Sequence, residues 1–126
     1  MKETINFGYL PEEYSDPENA HIVIIPVAYD GTSTWIKGAD KGPSAIIEAS
    51  ANMELYDIET HSEVYKKGIY TEDAITGGIT TREMIEATNG TVQYYLEKNK
   101  FTVVIGGEHS VSIGSVKAHA KHYANL

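Results

Sequence analysis

Two short stretches of this chain are apolar without interruption, and both predict buried β-strands. Residues 21–27 contain the run Ile-Val-Ile-Ile, and residues 101–105 read Phe-Thr-Val-Val-Ile. Neither run alternates polar and apolar positions, as a strand with one face in water would. Both are therefore predicted to be covered on both faces, which is typical of parallel strands inside an α/β sheet.

The clearest helix predicted by the pattern begins after Thr80. The side chains of Thr80 and Glu83 stand at the spacing of a capping box, and Asn99 is a plausible end before the second strand. Gly90 interrupts the run, at a cost of about 1 kcal/mol relative to alanine. The predicted inward face consists of Met84, Ile85, Thr88, Val92, Tyr95 and Leu96.

Two further helices are predicted, one on each side of this central one. The first begins near Pro43, a residue type that favours the first turn of a helix. The last follows the second strand, with Ser110 or Ser112 as its cap. The predicted inward face of the first consists of Ala45, Ile46, Ala49, Met53 and Tyr56, and the last is indicated by Val111, Ile113 and Val116.

The order strand, helix, helix, strand, helix favours an α/β fold with a parallel sheet and covering helices. Residues 1–20 contain two prolines and a cluster of acids, which predicts an extended N-terminal arm across the surface. If more strands follow residue 126, these residues alone leave an unpaired sheet edge. The isolated chain is then expected to be marginally stable or to aggregate.

His109 is the strongest candidate for chemistry. It follows the glycine turn 106–107 at the predicted end of the second strand, where open α/β sheets bind their ligands. A neutral imidazole is a common ligand of divalent metals. Two alternatives stay open: a histidine hydrogen-bonded beneath a loop, and phosphate binding by the glycine turn and the helix that follows. The chain matches neither the dinucleotide fingerprint nor the P-loop pattern.

Four other polar residues are weaker candidates for a functional role, because local interactions or solvent exposure account for them. Asp30 follows the first strand and is expected to bond the N–H groups of its own turn, residues 31–33, rather than a ligand. Glu108 could fix the tautomer of its neighbour His109, although adjacent side chains often point apart. His119 and His122 lie three residues apart on the last helix, on a face expected to be solvated, with no third ligand nearby in sequence.

Residues 106–110, Gly-Gly-Glu-His-Ser, resemble the first metal-ligand motif of the ureohydrolase family, which contains arginases and agmatinases. Upstream, residues 29–33 (Tyr-Asp-Gly-Thr-Ser) and 42–46 (Gly-Pro-Ser-Ala-Ile) resemble that family's N-terminal strand, loop and helix. The order and separation of these blocks agree with the agmatinase branch. The chain departs from the family at Lys37, Lys41 and Ile47, where members often have arginine.

The resemblance implies that residues 1–126 are the N-terminal portion of a single ureohydrolase domain with a three-layer α/β/α, arginase-like fold. It implies a binuclear Mn²⁺ enzyme with His109 as a metal ligand, which in its complete form hydrolyses agmatine to putrescine and urea in polyamine biosynthesis. The family's other metal ligands, an Asp-x-His-x-Asp cluster and an Asp-x-Asp pair, are not in this chain, so the isolated chain is predicted to be inactive.

Several alternatives remain within and beyond this resemblance. Other substrates of the family are arginine, guanidinobutyrate, aminopropylagmatine and formiminoglutamate. A non-catalytic α/β module and a small nucleotide-binding domain are the competing classes. The complete protein is expected to be a homo-oligomer, a trimer or hexamer, as members of the family commonly are.

Composition limits the classes of partner that the chain is expected to bind. The net charge of −8, from 18 acids and 10 bases, disfavours nucleic acid and is compatible with a small cationic guanidino substrate. There is no cysteine, the N-terminus is too polar for a secretory signal, and no apolar run approaches the length of a membrane span. The prediction is a cytoplasmic protein with neither a nucleic acid nor a membrane as partner.

Overall fold

The computed structural model describes residues 5–76 and 78–126, and a parallel sheet lies at its centre. The strands are β1 (Ile22–Val27), β2 (Ile69–Thr71) and β3 (Phe101–Gly106), in the order β2-β1-β3. Both pairings are parallel, so the carboxyl ends of the strands meet at one edge of the sheet. The predicted α/β class and parallel sheet are confirmed.

The two strands predicted from uninterrupted apolar runs differ in burial. β1 is central, and its Val23, Ile25 and Val27 side chains are fully buried. β3 lies at the edge, where its residues are half-buried and Phe101 is 69% exposed. Burial on both faces was thus correct for β1 and wrong for β3, because β3 has a neighbouring strand on one side only in the part of the chain that the structure describes.

Residues 5–76 and 78–126 contain four α-helices. They are α1 (Glu12–Ser15), α2 (Gly42–Ser50), α3 (Thr81–Glu97) and α4 (Ser112–His122). α3 agrees closely with its prediction. The Thr80 hydroxyl accepts from the Glu83 N–H at 3.3 Å, and the Glu83 carboxylate accepts from the Thr80 N–H at 2.7 Å, which completes the capping box. Gly90 is exposed and does not break the helix.

The buried face of α2 is not the predicted one. Its buried residues are Pro43, Ile47 and Ser50, whereas Ile46 is 46% exposed and Ala45 and Ala49 are also exposed. The helix ends at Ser50, so Met53 and Tyr56 lie beyond it, both about half exposed. The Ser50 hydroxyl donates to the Ile47 carbonyl and accepts from the Gly8 N–H at 2.8 Å. The N-terminal arm therefore covers the face of α2 that contains this serine.

The start of α4 also differs from prediction. A 3-10 turn, His109–Val111, precedes the helix, and neither Ser110 nor Ser112 caps it. Of the three apolar residues that indicate this helix, Val111 is buried, whereas Ile113 and Val116 are 44% and 57% exposed. The α4 helix lies close to α3, and small residues of α4 face α3 because larger side chains would not fit between the two helices. The inward residues of α4 are Gly114 and Ala118.

The described part of the N-terminal arm is not fully extended. It contains a 3-10 turn, Phe7–Tyr9, and the single-turn helix α1. The Phe7 N–H donates to the Thr71 hydroxyl at 2.9 Å, so the arm is attached to the end of β2. Among the described residues, no helix is both long and apolar enough to cross a membrane.

Candidate functional site

The candidate site lies where β1 and β3 end side by side. Val27 pairs with Gly106, so the segments that follow them leave the sheet at neighbouring points. We call residues 28–41 the β1 loop and residues 107–111 the β3 loop. Parallel α/β sheets bind ligands at this edge, outside the carboxyl ends of their strands.

His109 begins the 3-10 turn of the β3 loop, and its side chain is exposed. Its backbone carbonyl accepts from the Ser112 hydroxyl at 2.8 Å, which fixes the start of the turn. No hydrogen bond within the described ranges uses its ring nitrogens, so the imidazole is accessible beyond the end of β3. The predicted position is therefore the observed one, and metal binding by His109 stays a prediction.

Asp30 organises the β1 loop. Its carboxylate accepts from the Ser33 hydroxyl, from the Gly38 N–H at 2.6 Å and from the Ala39 N–H at 3.1 Å. Lys37 lies 3.5 Å from it, and the Asp30 side chain is only 7% exposed. These hydrogen bonds, led by the one from Ser33, lower the pKa of Asp30 to about 2. The predicted loop-holding role is observed, but with the N–H groups of residues 38 and 39 instead of residues 31–33.

Glu108 joins the two loops. Its carboxylate accepts from the Thr32 N–H at 3.0 Å, from the Thr32 hydroxyl at 2.6 and 2.8 Å, and from the Ser110 hydroxyl. Burial alone would raise the pKa of Glu108, but the hydrogen bonds from Ser110 and Thr32 outweigh it and the pKa is lowered. The possible role of Glu108 as a partner of the His109 ring is thus not observed, since its oxygens face Thr32 and Ser110.

The glycines of the β3 loop are required by close backbone contacts. A Cβ atom on Gly107 would overlap the carbonyl of Ala39 in the β1 loop, and one on Gly106 would overlap the Val111 side chain. Only glycine leaves room for both approaches. The two loops therefore touch where Gly107 lies against Ala39 and where Thr32 meets Glu108 and Ser110.

A cleft of about 500 Å³ opens beside the β1 loop. Its lining includes the carboxylates of Asp30 and Asp40, the Lys37 ammonium group and Tyr29. The Tyr29 hydroxyl lies 2.7 Å from the hydroxyl of Thr81 at the start of α3, which holds the buried ring in the wall of the cleft. Sequence reasoning missed this contact and the one made by Thr32, because each joins residues far apart in the chain and no local pattern indicates them.

His119 and His122 lie away from this edge, beside Phe101 and Thr102 at the amino end of β3. The Nδ1 atom of His119 is 2.8 Å from the Ser115 carbonyl oxygen, and His122 is exposed. Across residues 5–76 and 78–126, no three His, Cys, Asp or Glu side chains are grouped so that they could hold a metal ion. The structure does not bring these two histidines together with His109.

The described residues fit one ligand position of a metal site, not a complete site. The His109 imidazole is exposed and aromatic nitrogen is a suitable donor. The oxygens of Asp30 and Glu108 are already engaged by N–H and O–H donors of the loops. These carboxylates order the loops, so further ligands to a metal would have to come from residues other than these two.

Comparison with protein families and curated proteins gives a consistent result. The arginase family model matches residues 20–126. An N(1)-aminopropylagmatine ureohydrolase of Synechocystis is 34% identical over 110 residues, covering 79% of this chain and 35% of that protein. An arginase of Staphylococcus aureus is 35% identical over 101 residues, covering 71% of this chain and 33% of the relative. The chain thus spans about a third of the length of these curated relatives.

Solved structures show the same likeness. The agmatine ureohydrolase of Thermoplasma volcanium is 25% identical, with a TM-score of 0.76 over 80% of this chain and 34% of that one. A Trypanosoma cruzi formiminoglutamase, solved with Mn²⁺, is 27% identical, with a TM-score of 0.76 over 84% of this chain and 37% of that one. The sequence resemblance and the predicted arginase-like fold are confirmed, and the chain belongs to the arginase family.

Proposed function

We propose that this chain forms the N-terminal part of a metal-dependent ureohydrolase, which in its complete form hydrolyses a guanidino compound to urea and an amine. The observation that carries the proposal is the β3 loop, which places an exposed His109 at the ligand-binding edge of a parallel sheet. Membership of the arginase family supports the reaction class.

We assign His109 the role of one ligand to manganese. Support comes from its accessible ring and from related structures solved with Mn²⁺. The chemistry that a bound manganese pair supplies is activation of water for attack on an electrophilic carbon. The residues described here hold His109 at the end of β3 and order the two loops around it, through Asp30 in one loop and Glu108 between them.

Agmatine is the first substrate candidate, and N(1)-aminopropylagmatine is the second. The second is favoured by the names of relatives from Synechocystis and Thermus thermophilus, which are 34% and 30% identical to this chain. Both compounds are cations, and the excess of acids in the chain agrees with that charge.

The test is urea release by the complete protein loaded with Mn²⁺. Agmatine and aminopropylagmatine are compared with arginine and guanidinobutyrate over a range of concentrations, and formiminoglutamate, whose hydrolysis would release formamide instead of urea, is assayed by the glutamate formed. The proposal predicts urea from agmatine or aminopropylagmatine at the highest kcat/KM, and formiminoglutamate as the poorest substrate. No urea from any of the guanidino compounds would refute the enzyme assignment.

The intact mass of the protein in its source cell separates the enzyme from a non-catalytic module. A mass well above the 13.9 kDa of this chain supports the enzyme. A cellular protein of 13.9 kDa that releases no urea supports a binding module instead. Detection of the protein in the cytoplasmic fraction of its source cell tests the predicted location. The molar mass of the purified protein in solution, measured by light scattering, tests the predicted trimer or hexamer.

A further inference from the structure

One contact between the two loops joins residues that lie outside both the strands and the hydrophobic core. The Glu108 carboxylate receives the N–H and the hydroxyl of Thr32, which is 76 residues away in the chain. Both of its oxygens lie within 2.8 Å of the Thr32 hydroxyl. A hydroxyl and an N–H directed at an ionised carboxylate are charge-assisted bonds, which are stronger and more directional than neutral ones.

From this contact, we propose that Thr32 and Glu108 are positioning residues for His109. The proposal builds on the assignment of His109 as a metal ligand. Glu108 immediately precedes His109, so the position of its carboxylate fixes the backbone from which the imidazole extends. Thr32 then acts on the metal site through Glu108, without itself being a ligand.

The surroundings of the contact explain why it can fix the loop. On one side, Gly107 lies against the Ala39 backbone, so the β3 loop cannot move toward the β1 loop. On the other side, the Thr32 hydrogen bonds keep it from moving away. The Ala39 backbone is itself held in place by the Asp30 carboxylate, which accepts from the Ala39 N–H at 3.1 Å. The β3 loop is therefore held at two adjacent points.

His109 depends on this attachment because its ring has no other anchor. The side chain is exposed, and its ring makes no hydrogen bond to the described part of the chain. Metal ligands need an orientation fixed by groups behind them, and removal of such groups typically lowers metal affinity by about 10- to 100-fold. Here the fixing groups act on the backbone beside the ligand.

The experiment uses the complete protein with Thr32→Val, which is nearly isosteric but lacks the hydroxyl, and Thr32→Ser, which keeps it. Thr34→Val is the matched control, since Thr34 is an exposed threonine of the same loop and makes no hydrogen bond in the described structure. The readouts are Mn²⁺ affinity by calorimetry and the melting temperature of the metal-free protein. The latter shows whether each variant is folded.

Thr32→Val is expected to weaken Mn²⁺ binding by about tenfold, the lower end of the usual range for supporting groups. Thr32→Ser and Thr34→Val are expected to bind Mn²⁺ as the parent does, and the metal-free melting temperature is expected to be nearly equal in all three. Parent-like affinity in Thr32→Val would overturn the proposal. Equal loss in Thr32→Val and Thr32→Ser would overturn it too, because the hydroxyl would then be irrelevant.

A second variant tests whether both residues act through one contact. Glu108→Ala removes both oxygens that accept from the Thr32 N–H and hydroxyl, whereas Glu108→Gln would keep one of them. If the contact is the cause, the double variant with Thr32→Val binds Mn²⁺ no more weakly than the weaker single variant. Additive losses would show two independent effects and would overturn the shared role.

Failure of the metal assignment is distinguishable from failure of this proposal. If the parent protein does not bind Mn²⁺, the proposed function fails, and hydrogen exchange then tests the contact by itself. Thr32→Val is expected to speed exchange of the amides of the β3 loop, while Thr34→Val leaves it unchanged. Equal exchange in both variants would show that Thr32 does not hold the loop.

Discussion

Gly114 provides a sharp test of the packing between α3 and α4. A Cβ atom at this position would lie 2.6 Å from the Ile85 carbonyl oxygen and 2.8 Å from the Thr88 Cβ atom. It would also lie 2.9 Å from the Asn89 backbone nitrogen. Two of these three atoms belong to helix backbone, which cannot rotate away. Gly114→Ala therefore requires the two helices to separate.

The magnitude follows from two opposing effects. Overpacking costs about 1–3 kcal/mol, while alanine gains about 0.5–1 kcal/mol over glycine within a helix. The net destabilisation expected for Gly114→Ala is about 1–2 kcal/mol, a fall in Tm of roughly 2–6 °C in the complete protein. Gly90→Ala is the control, because a Cβ there meets nothing within 4 Å and Gly90 is exposed on α3.

The assay is thermal unfolding of the metal-free complete protein, followed by circular dichroism at 222 nm. Gly90→Ala is expected to raise the Tm, because it gains about 0.5–1 kcal/mol of helix propensity without a steric cost. The same substitution in two helices thus gives opposite signs. A Gly114→Ala variant as stable as the parent would refute the described contact between α3 and α4.

Three more variants test other features. Thr80→Ala removes the cap of α3 and is expected to cost about 1 kcal/mol, measured by urea unfolding with Thr80→Ser as the control that keeps the hydroxyl. Asp30→Asn leaves one accepting oxygen for the hydrogen bonds from Ser33, Gly38 and Ala39 and removes the negative charge near Lys37, so it is expected to lower the Tm at pH 7. Because the folded pKa of Asp30 is about 2 and its ordinary value is 3.8, its ionised form stabilises the parent fully above about pH 4 and progressively less down to about pH 2. The variant should lack this part of the acid dependence, and an unchanged acid profile would contradict the role given to Asp30. Ile47→Ala is expected to lower the free energy of unfolding by about 2–4 kcal/mol, and Ile46→Ala is expected to lower it far less. Equal losses in the two variants would contradict the observed buried face of α2.

Features set by local sequence were predictable. The cap and apolar spacing of α3 depend on residues within a few positions of one another, so Thr80 and the helix face were identified together. The end of β3 and the glycine turn likewise placed His109 at the sheet edge. The burial of β1 from Val23 to Val27 also follows from its uninterrupted apolar run.

Features set by tertiary contacts were not predictable. Ile46 and Ile47 are the same residue type, and the packing of α2 against the sheet and the N-terminal arm decides which one is buried. In α4 the close approach of α3 selects Gly114 for the inside and leaves Val116 outside. The partner of Glu108 is 76 residues away, beyond the reach of any local pattern.

The most direct test of the central claim is the manganese content of the complete protein with His109→Asn, compared with His119→Asn. His119 serves as the control because its Nδ1 atom faces the Ser115 carbonyl and it lies at the opposite end of β3. The account predicts that His119→Asn keeps the parent's manganese content and urea release. It predicts that His109→Asn loses manganese and loses urea release with it. Full manganese content and full urea release in His109→Asn would contradict the assignment of this loop as part of the metal site.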